Sequence, residues 1–142
     1  MPTKLQVLEQ YFGYPSFRPG QEELIDALLS GRDVLGVLPT GAGKSLCYQV
    51  PALLMEGITL VVSPLISLMK DQVMALVHKG VRGAYLNSSL TWNQYRAALR
   101  NARAGVYKII YVAPERLLTP EFLDFAKSAP ISMVTVDEAH CL

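Results

Sequence analysis

Leu38-Pro39-Thr40-Gly41-Ala42-Gly43-Lys44-Ser45 is the stretch on which the reading of the chain turns. It follows the apolar run Val34-Leu35-Gly36-Val37-Leu38 and leads into Leu46-Cys47-Tyr48-Gln49-Val50, a helical pattern. A strand, a glycine-bearing turn and a helix in that order form the setting of a phosphate-binding loop. Gly41 and Gly43 let the backbone turn tightly and bring its N–H groups up to an anion. The helix N-terminus adds further unpaired N–H groups and a favourable dipole. In such a loop Lys44 reaches the β- and γ-phosphates as a point charge, and the Ser45 hydroxyl ligates Mg²⁺. The pattern G-x-x-x-x-G-K-[ST] departs from this chain at Leu38, where it has glycine, but the core Thr-Gly-x-Gly-Lys-Ser is intact. The plain alternative is a glycine-rich turn beside a surface lysine, and the strand–turn–helix setting argues against it.

The 142 residues suit one domain with its own core. Hydrophobic residues make up 51% and charged residues 18%, a composition that excludes a disordered chain. With a formal net charge of +1, no global signature points to nucleic acid, so any such contact must come from a local surface. Cys47 and Cys141 form no C-x-x-C pair and match no zinc spacing, which reads as two reduced thiols in an intracellular protein. The N-terminus, Met1-Pro2-Thr3-Lys4-Leu5, lacks the apolar core of a signal peptide, and the apolar runs are of strand length. A soluble protein with no membrane partner is expected.

Taken in order, Thr3 caps a short helix in which Leu5, Leu8, Tyr11 and Phe12 recur at helical spacing, and Gly13 ends it. The loop Tyr14-Pro15-Ser16-Phe17-Arg18-Pro19-Gly20-Gln21 follows, then a helix to about Ser30 with Leu24, Ile25, Leu28 and Leu29 on one face. That loop reads either as a capping turn whose aromatics plug the core or as a base reader. An aromatic ring and an arginine plane can sandwich a purine, and a glutamine can pair with adenine N6 and N7. Past the phosphate loop, Pro51 is expected to interrupt the helix that begins near Gly43, with the pattern resuming through Leu53, Leu54 and Met55. Ile58-Thr59-Leu60-Val61-Val62 reads as a strand covered on both faces.

A helix through Leu68, Met69, Gln72, Val73, Leu76 and Val77 follows, closed by Gly80. A strand near Gly83-Ala84-Tyr85-Leu86 ends in the polar turn Asn87-Ser88-Ser89. Thr91 and Gln94 then have capping-box spacing for a helix to about Ala104. Arg96, Arg100 and Arg103 form a basic stripe on it, more in keeping with a solvated face than with DNA contact. Lys108-Ile109-Ile110-Tyr111-Val112 is the next strand. Thr119 and Pro120 start a short helix that carries Phe122, Leu123 and Phe125 inward, and Ile131-Ser132-Met133-Val134-Thr135-Val136 is the last strand.

This alternation argues for βαβ units and a parallel sheet flanked by helices. Ligands of such sheets sit beyond the carboxyl ends of the strands. The phosphate loop, Ser63-Pro64, Asn87-Ser88, Pro114-Glu115-Arg116 and Asp137-Glu138 all fall at those ends, so five polar loops are expected along one edge. Val134-Thr135-Val136-Asp137-Glu138 supplies two adjacent carboxylates. In a phosphate-loop ATPase the first holds Mg²⁺ beside the Ser45 hydroxyl, and the second orients and deprotonates the attacking water.

Five ordered motifs together resemble the first RecA-like domain of superfamily 2 helicases, specifically the RecQ DNA helicase family. Phe17-Arg18-Pro19-Gly20-Gln21 is similar to motif 0 and Thr40-Gly41-Ala42-Gly43-Lys44-Ser45 with the residues to Ala52 to motif I. The segment from Val61 to Val73, which includes Ser63-Pro64-Leu65-Ile66-Ser67, resembles motif Ia. Tyr111-Val112-Ala113-Pro114-Glu115-Arg116-Leu117 resembles the stretch between Ia and II, and Asp137-Glu138-Ala139-His140-Cys141 motif II. The resemblance covers essentially all of residues 1–142, with a short helical motif 0 region, 1–31, ahead of the phosphate loop. It implies an α/β, RecA-like P-loop NTPase domain that stops just after motif II, short of the second motor domain and its arginine finger.

The resemblance further implies an ATP-dependent DNA helicase of 3′→5′ polarity, acting in recombination and repair on single-stranded and partially duplex DNA. ATP and Mg²⁺ are the implied cofactors. Tyr14 and Arg18 would flank adenine and Gln21 read its edge. Thr40, Gly41, Gly43, Lys44 and Ser45 would hold the phosphates, Ser45 and Asp137 the metal, and Glu138 the hydrolytic water. His140 would couple nucleotide state to DNA, and Ser63, Ser67 and Asn87 would touch the DNA strand. The implied location is the cytoplasm, at the nucleoid in a bacterium, or the nucleus in a eukaryote. Two other readings stand beside it: a DEAD-box-type RNA helicase, and an ATP-binding module inactive without a second motor domain.

Overall fold

The computed structural model describes residues 2–36 and 43–137. The chain divides into two units, residues 1–56 and 57–142.

The first unit is helical where it is described. Thr3 caps α1 (Lys4–Val7) in a full capping box: its side chain accepts from the Gln6 N–H at 3.1 Å, and the Thr3 N–H donates to Gln6 Oε1 at 2.8 Å. The helix then widens into a π-turn, Leu8–Phe12, which Gly13 closes at φ 76°. That wider turn explains why the inward set is Val7, Leu8 and Phe12, whereas Leu5, expected on the apolar face, is 42% exposed. Lys4 Nζ pairs with Glu22 Oε2 at 2.9 Å and Asp26 Oδ1 at 2.6 Å on α2 (Gln21–Leu29), and these hydrogen bonds push the Lys4 ammonium above its ordinary value. On α2 Ile25 is fully buried, while Leu29, also expected inward, is 39% exposed. Gly31, at φ 86°, ends it as expected.

Two expectations in this unit need correction. Residues 34–36, read as the start of a strand, carry no regular structure, and Leu35 is 88% exposed; Val37 and Leu38 lie outside the described residues. Pro51 does not interrupt the helix after the phosphate loop. α3 runs unbroken from Leu46 to Leu54 with Pro51 inside it. Proline lacks an N–H and its ring crowds the carbonyl four residues back, but the Pro51 carbonyl still accepts from the Met55 N–H at 2.9 Å, so the last turn closes.

The second unit is the parallel sheet: β1 (Ile58–Val62), β2 (Gly83–Leu86), β3 (Ile109–Val112) and β4 (Ile131–Val136), in the order β2-β3-β1-β4. Every pairing is parallel, and β1 lies between β3 and β4, with Val62 beside both Val112 and Val136. All five β1 residues are buried, as a strand covered on both faces requires. On one face Ile58, Leu60, Val62, Leu86, Ile110 and Val112 pack with residues of α5 (Trp92–Arg103) and α6 (Pro120–Ser128). From those helices come Tyr95, Leu99 and Ala102, and Phe122 and Phe125. Leu123, expected inward, is 42% exposed.

On the other face lies α4 (Ile66–His78), whose Val73 and Leu76 come within 3.7 Å of where a Cβ on Gly83 would stand. Leu68 and Val77, counted in the apolar period of α4, are 46% and 49% exposed. β4 is an edge strand, and Ser132 is an extra residue in its pairing with β1. Among the described residues no helix is long and apolar enough to cross a membrane.

Candidate functional site

In the first unit the loop before α2 is folded around one side chain. Gln21 is 1% exposed, and both ends of its amide are engaged. Its Oε1 accepts from the Arg18 N–H at 2.8 Å, and its Nε2 donates to the Gly43 carbonyl at 2.9 Å. The Gln21 N–H also donates to the Arg18 carbonyl at 3.1 Å, and Gly20 takes a left-handed conformation at φ 88° to allow that turn. One side chain thus ties the aromatic loop to the residue immediately before Lys44.

Gly43 is fixed from both directions. Its φ of 73° lies in the left-handed region, and an added Cβ would stand 2.7 Å from Gln21 Nε2. A side chain there would be strained and would push out the glutamine. After it, Lys44 and Ser45 form a turn whose carbonyls accept from the Cys47 N–H at 3.0 Å and the Gln49 N–H at 2.9 Å, starting α3. Ser45 is the N-cap residue but makes no side-chain cap, so its hydroxyl is not spent on its own helix. Lys44 is half-buried. Burial pushes the thiol of Cys47, on the first turn of α3, above its usual value.

Tyr14, Ser16, Arg18, Gln21, Gly43 and Leu46 line a cleft of about 130 Å³. A site enclosing a whole ligand runs to about 300 Å³ or more, so this cleft suits one end of a ligand. It brings together the three base-reading candidates, Tyr14, Arg18 and Gln21, with Gly43. Ser16 and Leu46 are members that motif reasoning passed over. Leu46 was legible in principle, because the first helical residue after a phosphate loop has to sit at its mouth. Thr40 and Gly41 lie outside the described residues.

In the second unit the four strands end along one edge, and the residue after the end of β1, of β3 and of β4 is locked to a neighbouring strand. The Ser63 N–H donates to the Val112 carbonyl at 3.1 Å, Ala113 to Leu86 at 3.0 Å, and Asp137 to Val62 at 2.8 Å. The ladder therefore continues one residue past the strands and fixes where these loops leave the sheet. Four of the five expected polar loops stand on this edge: those at Ser63, Asn87, Pro114 and Asp137. Asp137 is 9% exposed. Glu138 and His140 lie outside the described residues.

The three expected DNA-contacting side chains are not alike. Ser63 is fully buried, and its Oγ accepts from the Leu65 N–H at 3.2 Å. Asn87 is 1% exposed; its Oδ1 accepts from the Ser89 N–H at 2.9 Å, and its Nδ2 reaches Met69 Sδ at 3.5 Å. These two side chains shape their turns from inside. Ser67, the third of these residues, is exposed, as is Ser88 in the Asn87 turn. Of the arginine stripe, Arg103 pairs with Asp124 at 3.1 Å, and Arg96 lies over Trp92.

Comparison with known proteins sets this geometry in a lineage. Residues 18–142 match the DEAD/DEAH box helicase family. The chain is 51% identical over 140 residues to the ATP-dependent DNA helicase RecQ of Pasteurella multocida, an alignment covering 99% of this chain and 22% of that protein. It is 46% identical over 142 residues to the human ATP-dependent DNA helicase Q4, covering 96% of this chain and 12% of that protein. The chain thus spans about a fifth of the bacterial relative's length. Among solved structures, the DUF1998 helicase MrfA bound to DNA and AMPPNP superposes with a TM-score of 0.75 at 18% identity, over 99% of this chain and 22% of that one. A hypothetical ATP-dependent RNA helicase from Sulfolobus tokodaii gives 0.74 at 25% identity, over 99% of this chain and 42% of that one.

Proposed function

Because the chain belongs to the DEAD/DEAH box helicase family, we propose that it carries the ATP site of a DNA-unwinding motor of RecQ type, with 3′→5′ polarity and a role in recombination and repair. The observation that carries this reading is the Gln21 bridge, which holds an aromatic- and arginine-bearing cleft beside Gly43 and Lys44. DNA rather than RNA is the track, since relatives at 43% to 51% identity are named DNA helicases.

ATP and Mg²⁺ fit the residues present. A cleft sized for a base stands next to a glycine whose missing Cβ leaves room for Gln21, and the Ser45 hydroxyl is not used as a cap. Tyr14 and Arg18 flank the adenine. Gln21 presents its edge to the base while holding Gly43. Thr40, Gly41 and Gly43 offer backbone N–H groups to the phosphates, and Lys44 neutralises their charge. By resemblance Ser45 and Asp137 would be the residues to hold Mg²⁺, which would supply charge neutralisation at the phosphates. Glu138 takes the proton of the attacking water, and His140 links that event to the DNA side. The fixed exits of Ser63, Ala113 and Asp137 from the sheet would give the strand a rigid edge, with the exposed Ser67 beside it. The protein works in the cytoplasm or at the nucleoid or nucleus, wherever its DNA lies.

The test is Mg·ATP hydrolysis by the full protein with single-stranded DNA, with RNA and with neither, alongside Lys44→Ala. The expected result is DNA-stimulated turnover that Lys44→Ala abolishes. Turnover stimulated only by RNA would replace this reading with an RNA helicase, and turnover indifferent to both would leave an ATPase of another kind.

A further inference from the structure

α5 opens with the chain's one tryptophan, directly after the Asn87 turn and so on the loop edge of the sheet. Trp92 is 52% exposed, although the packing positions of the same helix, Tyr95, Leu99 and Ala102, are at 5% or below. The fold therefore does not use most of its surface. It packs the ring against its neighbour one turn on. Trp92 and Tyr95 stack with centroids 6.1 Å apart and planes 20° apart, and the Arg116 guanidinium lies 4.9 Å from the centroid of the buried Tyr95. Arg96 stands 6.0 Å from the Trp92 centroid, and Arg100 follows one helical turn on. Among the described residues neither Arg96 nor Arg100 is in an ion pair, in contrast to Arg103.

An exposed aromatic ring beside two cations that make no ion pair is the arrangement that binds single-stranded nucleic acid: every base has a face to stack, and each step carries a phosphate. Only β3 separates β2 from β1, so the strand end that leads to Trp92 lies two strand spacings, about 10 Å, from the strand end that leads to Ser63 and Ser67. We propose that Trp92 is a base-stacking platform for single-stranded DNA, with Arg96 and Arg100 holding the adjacent phosphates. This inference rests on the nucleic-acid reading above and adds to it a surface outside the helicase motifs. The competing role for Trp92 is as a cover for Tyr95 alone.

Trp92 is the one tryptophan of these 142 residues, and the emission lost in Trp92→Phe is the part that reports this surface. The experiment titrates the full chain with oligothymidine and with an abasic oligomer of equal length, following tryptophan emission and, separately, the anisotropy of the labelled oligomer. Stacking predicts quenching by oligothymidine and little by the abasic strand. It also predicts affinity at least about 5-fold weaker in Trp92→Ala and largely kept in Trp92→Phe. Arg96→Ala is expected to lower the slope of log K against log salt, and Trp92→Ala to leave it unchanged. A far-ultraviolet circular dichroism spectrum matching the wild type establishes that each variant is folded, and Trp92→Phe keeps the test open should Trp92→Ala misfold. Unchanged affinity in the tryptophan variants, or equal quenching by the abasic strand, would overturn the platform and leave the helicase reading intact. Quenching by oligouridine in place of oligothymidine would overturn the choice of DNA. A wild-type chain that binds neither would remove both readings.

Discussion

Replacing Gln21 with methionine tests the connection between the aromatic loop and the phosphate loop. Methionine matches the shape of glutamine and keeps the buried volume, but it neither accepts from the Arg18 N–H nor donates to the Gly43 carbonyl. Two hydrogen bonds worth about 1 kcal/mol each are lost, so Gln21→Met should destabilise the fold by about 2 kcal/mol, or about 30-fold in the unfolding equilibrium. Urea unfolding followed by far-ultraviolet circular dichroism reads this. A second consequence concerns the nucleotide. Once Gly43 is released, ATP binding must fix its backbone, at a cost of about 1 to 2 kcal/mol, which weakens binding of a fluorescent ATP analogue by about 5- to 30-fold. The two effects have separate readouts. A stability loss below about 0.5 kcal/mol would refute the energetic account of the bridge. A loss of stability with unchanged nucleotide affinity would refute its role in preparing the phosphate loop.

Other perturbations follow from the same coordinates. Gly57→Ala should destabilise the sheet by at least about 2 kcal/mol in urea unfolding, because φ is 86° and the new methyl would run into the Pro130 carbonyl oxygen and Ser132 Oγ at the β4 bulge. Thr91→Ala should cost about 1 kcal/mol, since it breaks the capping box in which Thr91 Oγ1 accepts from the Gln94 N–H at 3.2 Å; the Tm of the variant checks it. Burial raises the Cys47 thiol, so its alkylation, followed by peptide mapping, should begin at higher pH than that of a free thiol. The sign for stability is the same: a raised folded value means that stability is complete below the ordinary thiol range and falls as pH rises through it.

The fold was legible wherever local pattern and tertiary burial agree. The β-branched run at 58–62 is buried on both faces, and the Thr91–Gln94 spacing makes the capping box it signals. Misreadings arose where one principle was applied without its competitor. Val34, Leu35 and Gly36 look apolar enough for a strand, but apolar composition does not supply a ladder partner. Proline at position 51 was given its usual helix-breaking weight, yet α3 runs through it, with Val50, Pro51 and Ala52 all buried. Leu5 was placed by a 3.6-residue period that the π-turn at Leu8–Phe12 does not keep.

The site divides along the same line. Glycines and the lysine of a phosphate loop are visible in sequence because the backbone and charge they supply do not depend on neighbours. Polar side chains are different, because the same Ser, Asn or Gln can face a ligand or satisfy the chain itself, and only packing decides which. Ser63 and Asn87 sit at motif positions expected to face DNA, yet both are buried and bonded to their own turns. Gln21 does the chain's work with both ends of its amide, so the role proposed for it in nucleotide binding would run through Gly43 as much as through a base. Trp92 shows the converse: no motif marked it, but its exposure beside a braced tyrosine and two arginines gives it a reason to be where it is. In this chain the motif residues Ser63 and Asn87 lie inward and build the edge, while Ser67, Ser88 and Trp92 are the side chains exposed beside it.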